Sequence, residues 1–121
     1  MISSELNLKL TDFFPEINSM YQEETVWQDG DETGSHVVYA DVFVPFVKEH
    51  IIGNNEQMLS KVLDYIEDLL SLNDEYANEV IAFSVLETLL FDDEIDNTLF
   101  IQLAKTNTLK LIEEIIHNIN E

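Results

Sequence analysis

Residues 59–90 read LSKVLDYIEDLLSLNDEYANEVIAFSVLETLL, and the period of this stretch decides the fold. Met58, Leu59, Val62, Leu63, Ile66, Leu69 and Leu70 recur at three- and four-residue steps, while Glu56, Lys61, Asp64, Glu67 and Asp68 fall on the opposite side. That is the pattern of an amphipathic surface helix over residues 55–72. Asn73 or Asp74 supplies the next N-cap. The run that follows, YANEVIAFSVLETLLF, is apolar on almost every face, the pattern of a helix at the centre of a domain.

Toward the N-terminus, Leu6, Leu10, Phe13, Ile17 and Met20 keep the helical spacing across Pro15. A short helix opening near Ser3 or Ser4 is expected, then a second with Pro15 in its first turn, running toward Trp27. Residues 36–52, HVVYADVFVPFVKEHII, begin with the strand formers Val37, Val38 and Tyr39, so a strand stays open for 37–44. Val38, Val42, Phe46 and Ile51 fit helix faces better, and a helix kinked at Pro45 and ended by Gly53 is the preferred reading. Toward the C-terminus, the acidic DDEID (92–96) supplies first-turn carboxylates to a short helix over 95–104. Thr106 or Asn107 opens a last helix with Leu109, Ile112, Ile115, Ile116 and Ile119 inward. The sum is an all-α single domain over residues 1–121, a bundle of six or seven helices or stacked helical hairpins.

Charge narrows the partners. The chain has 25 acidic residues against five lysines and no arginine, a net charge of −20, with 45% apolar residues to build a core. Nucleic acids and anionic membranes require basic phosphate contacts, so no direct nucleic-acid or membrane partner is expected. A basic protein partner is favoured, because opposite fields speed encounter. The absence of cysteine removes disulfides, thiolate metal sites and cysteine nucleophiles. No signal-peptide pattern and no apolar run of about 20 residues is present, so a cytoplasmic protein is expected.

Chemistry-bearing motifs are few. DGDETG, residues 29–34, has the alternating Asp29, Asp31 and Thr33 and the Gly34 of a calcium loop, but Ala40 stands where the bidentate carboxylate belongs. It reads as a turn. Glu114 and His117 form a single Glu-x-x-His, where a bundle metal site needs two. Ser60, Ser71 and Ser84 lack a strained nucleophile turn, and Ser84 is expected to bond back to a carbonyl of its own helix. No catalytic residue, metal or cofactor is expected, and the chain reads as a binding protein. Asp64, Glu67, Asp68, Asp74, Glu75 and Glu79 span a helix face and the start of its neighbour, with Tyr65 and Tyr76 as aromatic anchors. Asp92 and Asp93 extend this candidate partner-binding surface.

The same stretch carries a resemblance. Ile66-Glu67 closing one helix, the acidic turn, and Leu86-Glu87 in the apolar helix resemble a family of small, acidic, all-helical bacterial immunity proteins, including those of contact-dependent growth inhibition. Phe14-Pro15-Glu16 and the aromatic-rich segment after His36 are also similar. The resemblance implies stoichiometric neutralisation of a cognate toxin, often a basic nuclease, by occlusion. An acidic DNA mimic aimed at DNA-binding proteins and a homo-oligomeric scaffold are the competing readings, and a monomer or homodimer is expected before binding.

Overall fold

A computed structural model describes residues 1–119, which form seven helices and no strand. Helix α1 spans Ser3–Phe13. Pro15 then opens a 3₁₀ turn, Pro15–Ile17, which continues into α2, Asn18–Thr25. Proline suits that first position because its missing N–H would have no partner there.

Helix α3 occupies residues 35–52, in three parts: Ser35–Val38 and Val44–Ile52 are α-helical, and Tyr39–Phe43 between them is π-helical. The strand alternative for 37–44 is therefore excluded. Pro45 explains the π turn: it donates no hydrogen bond and its ring crowds the carbonyl one turn earlier, and i→i+5 pairing opens that turn. The chain stays helical through Pro45. Gly53 ends the helix with its N–H on Glu49 O at 3.0 Å, but the left-handed residue is Asn54, at φ 50°.

Helix α4, Glu56–Ser71, is capped by Asn55, whose side chain accepts from the Met58 N–H at 3.2 Å. After a left-handed Asn73 (φ 54°), Asp74 caps α5, residues 75–90, by accepting the Ala77 N–H at 2.9 Å. The middle of α5, Val80–Leu86, is again π-helical. Asp96 accepts from the Thr98 N–H at the entry of α6, Thr98–Leu103, and α7 spans Thr106–Ile119.

Helices α3 and α5 meet through their π segments, and α1, α2 and α4 pack around α3. Phe14 lies at the junction, with its ring 5.4–5.7 Å from those of Phe43, Phe46 and Tyr65. Each such ring contributes roughly 1.5–3 kcal/mol on burial, and the sum outweighs the self-repulsion of the charge. Tyr39 and Tyr65 share a hydrogen bond at 2.8 Å, and Tyr39 Oη also donates to Leu6 O, so no hydroxyl is left wanting in the core. Lys61 Nζ lies 5.2 Å from the Phe14 ring centroid, closing the cluster with a cation–π contact.

The last helix departs from expectation. It buries Thr108, Ile112 and Ile115, but Ile116 and Ile119 are exposed. Its main packing is on α4 and on the π segment of α5, which covers only a narrow stripe of its surface.

Candidate protein-binding surface

Half of the carboxylates expected to form the acidic surface are engaged within the fold. Asp64 forms an ion pair with Lys105. Glu67 reaches across to the start of α7: its carboxylate accepts from Asn107 N (3.1 Å), Thr108 N (3.0 Å) and Thr108 Oγ1 (3.0 Å). Partial burial pushes the Glu67 pKa up, but those hydrogen bonds prevail and hold it below the ordinary glutamate value. Asp74 caps α5 and binds the N-terminal ammonium at 2.7 Å, and both contacts keep its pKa low. Asp92 is paired with Lys48 at 2.8 Å, which with the Glu94 N–H lowers its pKa.

The two expected anchors also change role. Tyr65 is 4% exposed and belongs to the aromatic core, so it is unavailable to a partner. Its position on the Leu59–Val62–Ile66 side of α4 explains why: the helical period that predicts the core includes it. Tyr76 is half-buried, with Oη hydrogen-bonded to Ser3 Oγ at 2.7 Å and accepting the Ser35 N–H at 3.2 Å. It fastens α5 to α1 and α3. Of the expected set, Asp68, Glu75, Glu79 and Asp93 remain as exposed carboxylates outside the ion pairs of the described residues.

A different part of the surface stands out. Trp27, in the turn after α2, is 89% exposed, and its neighbour Val26 is 65% exposed. Glu23 and Glu24 precede it by one helical turn, and Asp29, Asp31 and Glu32 follow. No lysine or arginine lies between Lys9 and Lys48, an interval that holds eight carboxylates. Glu24 faces Asp41 of α3, and the hydrogen bond the two carboxyls share once one is protonated, with some desolvation and the charge of Asp41, raises its pKa. Two acids are thus brought together where no described basic residue is ion-paired with either. A large indole left in water gains none of the several kcal/mol its burial can supply.

The turn beneath Trp27 is held rigidly. DGDETG forms the 3₁₀ turn Gly30–Glu32, with Gly30 at φ 58°, a conformation that favours glycine. Buried Asn7 donates to Thr33 O (2.7 Å) and Asp31 O (3.1 Å) and accepts from Ser35 Oγ (2.8 Å). Asp31 Oδ1 accepts from Tyr21 Oη at 2.7 Å, and Thr33 Oγ1 accepts from Asp29 N at 3.2 Å. The oxygens of the alternating motif serve the turn itself, and no group of three or more metal-ligating side chains occurs among the described residues.

Ser84 corrects a further expectation. Its Oγ lies 2.6 Å from His36 Nδ1, an inter-helix contact instead of a bond to its own helix. His36 packs edge-on against Tyr76 at 5.8 Å and has no carboxylate hydrogen bond to orient it, so the pair lacks the third member a nucleophilic site requires. Among the described residues no helix is long and apolar enough to cross a membrane.

The sequence signal for Trp27 is its place inside a long interval without lysine; its spacing, seven residues after Met20, continues the apolar stripe and by itself predicts burial. Comparisons with curated proteins and with solved structures return no match. A family match spans residues 7–119, from the buried Asn7 to the end of α7. The chain belongs to the DUF7674 family, described as a domain of unknown function.

Proposed function

We propose that this protein is a stoichiometric inhibitor of a basic protein, in the manner of a toxin-immunity protein, with Trp27 as its principal anchor. The observation that carries the reading is Trp27, 89% exposed beside carboxylates that no lysine neutralises. Tryptophan is enriched among interface residues whose loss costs most, and surrounding charges steer the approach of a partner of opposite sign. The hydrogen-bonded turn supports the reading further, since backbone already ordered next to the anchor loses little entropy on binding.

The mechanism is occlusion without chemistry. A toxin that acts on nucleic acid needs a basic substrate face. The acidic face around α2 and the 29–34 turn covers it, and the indole enters an apolar recess in the partner. Speed comes from charge, and residence time from the buried ring.

Co-expression with the product of the adjacent upstream gene, and affinity capture of any basic partner, provide the test. Equimolar protein abolishes the partner's toxicity and forms a one-to-one complex. Recovery of no basic partner, or a complex that leaves the partner fully active, overturns the proposal.

A further inference from the structure

Helices α5 and α7 leave a groove of about 470 Å³ between them. Its floor is apolar: Ala82, Leu111 and Phe83, the last 60% exposed. Its rim is acidic: Glu75, Glu79 and Glu114. Glu75, Glu79 and Phe83 recur at helical spacing and are all exposed, so one stripe of α5 has no covering element. The groove runs on into a smaller depression of about 190 Å³ that shares Asn78 and Leu111 and carries Lys110 on its wall. Between the two, Asn78 Oδ1 is buried with no hydrogen-bond donor. An acceptor left in that state is destabilising until a donor reaches it.

Charge selects the occupant. None of the ion pairs among the described residues uses Glu75, Glu79 or Glu114. A second copy of this chain would bring another −20 against the same rim, and like charges oppose that approach. A cationic segment gains from the rim, while its apolar side chains cover Phe83 and Leu111. The trough between two helices suits a third helix, the helix-in-groove arrangement.

We propose that the α5–α7 groove is a docking surface for an amphipathic, arginine- or lysine-bearing helix of a partner protein. The surface is separate from Trp27, and the proposal does not rest on toxin neutralisation. Leucines spaced at i, i+3 and i+7 lie on Phe83, Ala82 and Leu111, and flanking cations meet Glu75, Glu79 and Glu114.

The probe is a synthetic helical peptide with that leucine spacing and flanking arginines, titrated into the full chain by calorimetry and followed by amide chemical shifts. The expected result is saturable binding, with shift changes centred on α5 and α7. Phe83→Ala weakens it about 10-fold or more, as does the pair Glu79→Gln and Glu114→Gln, while Trp27→Ala leaves it unchanged. Phe83 is exposed, so its replacement leaves the fold intact, checked by an unchanged melting temperature. Several results overturn the proposal. They are no saturation at millimolar peptide, equal loss from Asp93→Asn with Asp12→Asn, or equal binding of an arginine-to-glutamine peptide. A dimer in sedimentation that Phe83→Ala dissolves also overturns it, because the occupant is then a second copy.

Discussion

Replacing Glu67 by alanine separates a structural carboxylate from a partner-binding one. Glu67 satisfies the Asn107 and Thr108 N–H groups in the first turn of α7, which no intrahelical carbonyl can reach, and the hydroxyl of fully buried Thr108. Losing an N-terminal cap costs about 0.5–2 kcal/mol, and an unpartnered buried donor about 1–3 kcal/mol. Water can reach the exposed Asn107, and removing one negative charge from −20 is mildly favourable, so the net is about 2 kcal/mol. With an unfolding entropy of roughly 2.1 cal/mol/K per residue, that lowers Tm by about 8 °C.

The assay is thermal denaturation followed by circular dichroism, with Asp68→Ala as the control. Asp68 is exposed one position away, and among the described residues its carboxylate accepts no hydrogen bond (the Ser71 hydroxyl donates to its backbone carbonyl), so its variant stays within about 0.5 kcal/mol of the parent. Glu67→Gln carries the same charge change as Glu67→Ala yet keeps one acceptor oxygen, and it recovers part of the loss. The pH dependence has a fixed sign. The folded pKa of Glu67 lies below the unfolded value of about 4.3, so its contribution is complete above about pH 5. The gap between parent and alanine variant closes as pH falls through the folded value. Equal melting of the Glu67→Ala and Asp68→Ala proteins refutes the account of this contact.

Asn7→Ala removes the donor to Thr33 O and Asp31 O and leaves Ser35 Oγ with Ser3 O alone, at a cost of roughly 1–3 kcal/mol. Hydrogen exchange should rise first in the 29–34 turn. Glu24→Gln acts in the other direction. The hydrogen bond to Asp41 raises the folded pKa of Glu24, so the protonated form favours folding and ionisation at neutral pH opposes it. Tm rises at pH 7 on substitution, and the gain disappears below about pH 4, where the parent is protonated in both states. Raising sodium chloride from about 0.05 to 0.5 M raises the Tm of the unmodified protein by screening its self-repulsion; a fall would contradict that balance.

Helix positions were the most legible feature, because a stripe such as Leu59–Val62–Ile66–Leu69 fixes both the helix and its buried side. The π segments were not legible, since the 3.6-residue template has no place for i→i+5 pairing; Pro45 alone hinted at one of them. The acidic surface is only partly legible for a plain reason. Sequence shows that Asp64, Glu67, Asp74 and Asp92 are charged, but their partners Lys105, Thr108, the N-terminus and Lys48 lie far along the chain. Tyr65 stands beside those acids in the sequence, but its spacing places it with the core. What sets Trp27 apart is tertiary: it is 89% exposed, ahead of Phe83 at 60%.

The account turns on whether Trp27 and its carboxylates form the face that takes a basic partner. Titration of the captured basic protein with the parent and with Trp27→Ala, at rising salt, tests this directly. Burying the ring contributes about 3 kcal/mol, so the variant binds roughly 100-fold more weakly at unchanged Tm, and the affinity of the parent falls as salt rises. Equal affinities for the two proteins, together with binding indifferent to salt, would contradict it.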